Sequence, residues 1–89
     1  MRAVITVIGK DMVGILAKVS NECADAGVNI TEVTQSILQD VFAMIMMVDI
    51  TNASIPFDAL INRMNKLGDQ HGLKIHVMHE DIFNSMHRI

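Results

Sequence analysis

The sequence repeats itself, and the repeat restricts the folds open to it. Ala26-Gly27-Val28-Asn29-Ile30 lines up with His71-Gly72-Leu73-Lys74-Ile75, 45 positions later, and Ile15, Leu16 and Val19 line up with Leu60, Ile61 and Met64 at the same offset. Each half holds a strand pattern, a helix pattern and a second strand pattern. Ala3 to Ile8 is a short run rich in β-branched residues and bounded by Gly9, which predicts a strand. Ile15, Leu16, Val19, Cys23 and Ala26 then recur every three or four residues, as one face of a helix closed by Gly27. Val28 to Ile37 and Val41 to Ile50 predict two strands joined by a turn at Gln39-Asp40. Asn52 to Ser54 breaks the pattern, and Pro56 suits the first turn of a second helix with Phe57, Leu60, Ile61, Met64 and Leu67 on its apolar face. His71-Gly72 ends that helix, and Leu73 to Met78 alternates as a last strand.

The order βαββαβ with an internal repeat implies a split βαβ arrangement, an α+β two-layer sandwich. Two right-handed βαβ units interleave into one four-stranded antiparallel sheet with both helices on one face. Residues 1–80 are expected to form this domain and residues 81–89 a helical tail. Val41 to Ile50 is apolar on both faces, so the second sheet face also needs cover. Ile82, Phe83, Met86 and Ile89 recur at helical spacing, so the tail is expected to pack there as a short helix, on its own chain or on a partner's.

Composition narrows the function. The chain has 89 residues, a net charge of -3, no Trp or Tyr and three Phe, and its Lys and Arg residues are scattered. A basic stripe and stacking platforms are both missing, which argues against direct nucleic-acid binding. No apolar run approaches the roughly 20 residues of a bilayer span, and the amino-terminal run reads as a strand rather than a signal peptide, so a soluble cytoplasmic protein is expected. The single Cys23 sits on the apolar stripe of the first helix, as an inert core thiol. The eight methionines are expected mainly as core filler.

No catalytic constellation is visible. His71, His76, His79 and His87 share the C-terminal quarter with Glu80 and Asp81, but match no zinc spacing, and His76 and His79 point to opposite strand faces. Surface roles are expected, with no metal, no cofactor and no enzymatic activity. The stretch Gly9-Lys10-Asp11-Met12-Val13-Gly14 is different. Its glycines permit a tight turn and close approach, and the turn opens onto helix amides that favour an anion such as a carboxylate. At the 45-residue offset the second half has Pro56, Ala59 and Lys74 where the first has Asp11, Gly14 and Asn29. The repeat thus predicts that the scaffold does not itself require those three.

The run Val7-Ile8-Gly9-Lys10-Asp11-Met12-Val13-Gly14-Ile15-Leu16, followed by Ala26-Gly27-Val28-Asn29-Ile30 and by Asp49 closing an apolar third strand, resembles the ACT domain, a small regulatory module that binds amino acids. The resemblance covers almost the whole chain and is most similar to small stand-alone bacterial and archaeal ACT proteins, themselves similar to the tandem-ACT glycine cleavage system repressor. It implies a ferredoxin-like fold and self-association through strands or helices as a homodimer or higher oligomer, with a ligand at the interface near the first loop. Carried across, Asp11, Met12, Val13, Gly14 and Ile15 would form the loop and helix start, with Asn29 and Ile30 facing them from the second strand. The N–H groups of Val13, Gly14 and Ile15 would hold a ligand carboxylate, and Asn29 or Asp11 its ammonium. With no catalytic domain attached, the module would act through its own assembly or on a separate regulated protein. The alternative is an assembly module without a small ligand.

Overall fold

The computed structural model describes residues 1–10 and 14–86. Asp11, Met12, Val13 and Ile89 lie outside the described residues. The order is β1 (Arg2–Lys10), α1 (Ile15–Asp25), β2 (Asn29–Leu38), β3 (Val41–Asp49), α2 (Phe57–His71), β4 (Lys74–His79) and α3 (Glu80–Met86). The strands form one sheet ordered β2-β3-β1-β4, with every neighbouring pair antiparallel. Each helix crosses over one intervening strand, so the two βαβ units interleave as the repeat implies. The strand β1 is longer than its β-branched run because all nine of its residues pair with β3.

Alternation decides what is buried. Ala3, Ile5 and Val7 of β1, Met44, Met46 and Val48 of β3 and Ile75 of β4 point to one face, where they meet Ile15, Val19 and Cys23 of α1 and Leu60, Met64 and Leu67 of α2. Met44, Met46 and Met64 are core filler as expected, whereas Met1 and Met86 are exposed. In β2 the register shifts between Ile30 and Glu32, and the extra residue Thr31 donates its hydroxyl to the Met47 carbonyl at 3.1 Å. This bulge reverses the parity of the strand. Ile30 shares the helix-covered side with Val33, Gln35 and Ile37 rather than with Glu32, Thr34 and Ser36.

Both long helices end in the same way. Gly27 and Gly72 take left-handed φ of 71° and 67°. The next residue in each case donates its N–H back to the helix, Val28 to the Cys23 carbonyl and Leu73 to the Gly68 carbonyl, both at 2.8 Å. These are Schellman ends, which satisfy orphan carbonyls and aim the chain into the following strand. They stand 45 positions apart, so the repeat is real at the level of the backbone.

The tail packs on its own chain. Val4 points away from α1 and α2 yet is wholly buried, because α3 lies across β1 and β4 on the second sheet face. Arg2 and Glu80 form an ion pair that ties the start of α3 to the start of β1. His79 caps the same helix, its Nδ1 accepting the Asp81 N–H at 3.2 Å.

Candidate functional site

The first crossover begins with Gly14 at φ 83° and ψ 12°, left-handed, at the N-terminus of α1. Gly14 accepts the Lys18 N–H through its carbonyl at 3.0 Å, but it has no side chain with which to cap the helix. The first turn of α1 carries no acidic residue. Among the described residues, no side chain at the cap or in the first turn compensates its leading amides and the positive end of its dipole. Among the described residues a Cβ at Gly14 would meet only Lys18 Nζ, at an ordinary contact of 3.5 Å, and it is the backbone angle that favours glycine.

This corrects the argument drawn from the repeat. The helix α2 begins at Phe57 after Pro56 in extended conformation, φ -63° and ψ 158°, so Ala59, which aligns with Gly14, lies inside the helix. The two N-terminal turns are built differently. Gly14 is required by its own turn, and its aligned alanine says nothing about that turn.

The other wall is at the opposite end of the sheet. Asn29, exposed, starts β2 opposite Asp49, whose partner in β1 is Arg2, whereas Lys10 at the loop end pairs with Val41. Ile15 and Gly14 thus stand at one end of α1 and Asn29 and half-buried Ile30 beyond the other, about 15 Å of helix apart. One chain brings Gly14 together with Ile15, and Asn29 with Ile30, but not the two pairs with each other. Asp49 is held below the usual carboxylate range by hydrogen bonding to Thr51, whose N–H it accepts at 2.9 Å, with the terminal ammonium 3.9 Å away. It therefore closes the β3 end rather than facing the loop.

At the loop end the structure adds residues the sequence did not single out. A hollow of about 230 Å³ is lined by Ile37, Gln39, Asp40 and Phe42. Phe42 pairs with Gly9 on one side and Ile37 on the other, so the hollow lies over β2, β3 and the turn between them, at the end of the sheet where β1 finishes. Ile37 is 69% exposed, and Leu16 and Val33 are also exposed, which leaves an apolar row along α1 and the unpaired edge of β2. Only the register of β2 on β3, which sets Ile37 beside Phe42, could have revealed this hollow. At the same end of the sheet Ile8, Gly9, Lys10, Val41, His71, Gly72 and Lys74 line a more open hollow of about 450 Å³.

The set-aside groups behave as structure. Burial, and secondarily the charge of Glu22, pushes the Cys23 thiol up to about 11. A thiol with a pKa raised this far stays protonated at neutral pH, so Cys23 should not react with a thiol-selective disulfide reagent at pH 8 until the protein unfolds. Rapid labelling of the native protein would refute the burial. Among the described residues no cluster of His, Cys, Asp and Glu could hold a metal ion, and no helix is long and apolar enough to cross a membrane.

Comparison with known proteins agrees with this geometry. The ACT domain family matches residues 3–69. A UPF0237 protein of Listeria innocua is 46% identical over 89 residues, covering 100% of both chains. The ACT domain protein from Streptococcus pneumoniae has a TM-score of 0.82 at 36% identity, covering 93% of each chain. A putative glycine cleavage system transcriptional repressor has a TM-score of 0.65 at 28% identity, covering 85% of this chain and 43% of that one. With the interleaved βαβ units, the glycine loop and matches over its length, the chain belongs to the ACT domain family, whose members are small-molecule-binding regulatory modules.

Proposed function

We propose that this chain is a homo-oligomeric regulatory module that binds a small amino acid at an interface between two copies, and acts through that assembly or on a separate protein. The observation that supports it most is the acid-free first turn of α1 behind left-handed Gly14, with the apolar hollow of Ile37 and Phe42 at the same end of the sheet. Amide donors beside an apolar floor suit a carboxylate carrying a short side chain.

Strand direction supplies the second copy. The exposed edge of β2 is ten residues long, and an edge of that length invites pairing. Antiparallel pairing of two β2 edges, centred on Val33 and Thr34, brings the partner's Asn29 to the loop end of this chain. There its amide can take the ligand ammonium or a polar side chain. Leu16, Val33 and Ile37 flank the joint as its apolar contact. The glycine cleavage likeness suggests amino-acid metabolism as the setting.

Thermal melting against each proteinogenic amino acid tests the reading. At about 100 times its dissociation constant a ligand adds about 2.7 kcal/mol of stability. Asn29→Ala should abolish that shift while the unliganded protein melts within about 0.5 kcal/mol of its parent, since the side chain is exposed, and Ile37→Asp should abolish it together with the association. No shift with any amino acid would favour the assembly module without a ligand, which the apolar row on β2 alone would serve.

A further inference from the structure

We propose that the hollow where β1 ends and β4 begins binds a small phosphate monoester with an apolar body, at a site separate from the amino-acid seat at α1. Its volume of about 450 Å³ is nearly twice the about 230 Å³ beside Ile37 and Phe42, and lies within the range of small-molecule sites. Ile8 pairs with Lys74 and Lys10 with Val41, which sets all four side chains on the sheet face opposite α1 and α2. The helix α3 starts at the other end of this face, after His79 opposite Ala3, so Ile8 stays 47% and Val41 39% exposed. A Cβ at Gly9 would run into the Leu73 side chain, which fills the helix side, whereas among the described residues a Cβ at Gly72 would meet nothing within 4 Å. The hollow therefore has an apolar floor and free space beside Gly72.

Its rim is cationic. Lys10 and Lys74 are exposed and stand diagonally across two paired strands, their Cα atoms about 7–8 Å apart, and their flexible stems let both ammonium groups meet on one anion. Half-buried His71, in the last turn of α2, adds a ring N–H in either protonation state. Among the described residues none of the three has an ion-pair partner and no carboxylate lines the hollow, although the chain as a whole carries a net charge of -3. Asp69 shares a different hollow with Lys74 and does not pair with it. The carbonyl end of α2 opposes an anion with about half an elementary charge, which two lysines outweigh.

The charge count selects the class of ligand. A carboxylate carries a single charge and leaves the second lysine unanswered. A phosphate monoester carries about -1.5 to -2 at pH 7 and three acceptor oxygens, which suit Lys10, Lys74 and His71 together. Lysine binds phosphate as a point charge and needs no fixed fork geometry, which fits so open a rim. Ile8 and Val41 then lie under the body that the phosphate carries. The β2 edge is on the opposite side of the sheet from β4, so the site stays open whether or not two β2 edges pair.

Titration of the full chain at neutral pH with phenyl phosphate, inorganic phosphate and benzoate, followed through amide chemical shifts, tests it. Phenyl phosphate should shift the amides of Gly9, Lys10, Gly72 and Lys74 to saturation. It should bind at least fivefold more tightly than inorganic phosphate, which lacks the apolar body, and than benzoate, which lacks the second charge. Lys10→Gln and Lys74→Gln should each weaken it at least fivefold, and both exchanges are at exposed positions, so the rest of the amide spectrum should stay as it is. Lys66→Gln, at an exposed lysine beside Glu22 and Arg63, should leave binding unchanged. Asn29→Ala should leave it unchanged too, so this site and the amino-acid seat stand or fall separately. Benzoate binding as tightly as phenyl phosphate, shifts that never saturate, or an equal loss in Lys66→Gln would overturn the proposal.

Discussion

Removing residues 80–89 should lower the unfolding free energy by about 3 kcal/mol, since α3 alone covers Val4 on the second face and fully burying such a side chain contributes about 1.5–3 kcal/mol. Half-buried Met78, on the same side of β4, loses part of its cover as well. The Arg2–Glu80 pair adds little to this sum, because Arg2 is 55% exposed and ion pairs open to solvent contribute about 0–1 kcal/mol. For a domain of this size each kcal/mol moves Tm by roughly 4–8 °C, so a fall of about 15 °C is expected in a calorimetric or circular dichroism melt. A truncated protein that melts within a few degrees of the full chain would show that the tail is an appendage.

The tail also shows how the sequence could be read and where reading stopped. A both-sided apolar run in Val41 to Ile50 required cover on two faces, and a stripe through Ile82, Phe83 and Met86 could supply it. Those are local patterns with fixed periods. Which half of the face the helix covers depends on the direct join of β4 to α3 and on the Arg2–Glu80 pair, and these are tertiary facts. The same division holds at the candidate site. Glycines at 27 and 72 announced both helix ends, because only a residue tolerant of positive φ suits that position. Gly14 was legible as a loop residue, but its left-handed angle was not, and the alignment with Ala59 pointed the wrong way because α2 starts a turn early. The bulge at Thr31 was hidden for a similar reason. One extra residue reverses the parity of Val33 and Ile37, and no local preference at Thr31 signals it. The hollow formed by Ile37 and Phe42 follows from that reversal, so it could not be seen before the register was known.

Gly68→Val should destabilise the protein by about 3 kcal/mol, the upper part of the range for overpacking a filled core. A Cβ at Gly68 would stand 2.7 Å from the Leu73 carbonyl oxygen and 3.4 Å from Ile75 Cγ1. The first of these is backbone in the Schellman end that Gly68 itself completes, so the obstacle cannot rotate away. Either α2 lifts from β4 or the strand entry shifts, and both open the contact of Leu67 and Met64 with the sheet. The slightly better helix propensity of valine recovers only a few tenths of a kcal/mol. Cys23 provides the control, since it occupies the same position in the Schellman end of α1 and is fully buried there. Cys23→Ala removes a single heavy atom and should cost about 1 kcal/mol, close to the loss of one buried methylene. The same backbone motif thus accommodates a side chain under α1 and excludes one under α2, because α2 sits closer to its strand. Urea unfolding of the two variants would measure the contrast, and a Gly68→Val protein no less stable than Cys23→Ala would mean that the spacing of α2 is not set at this glycine.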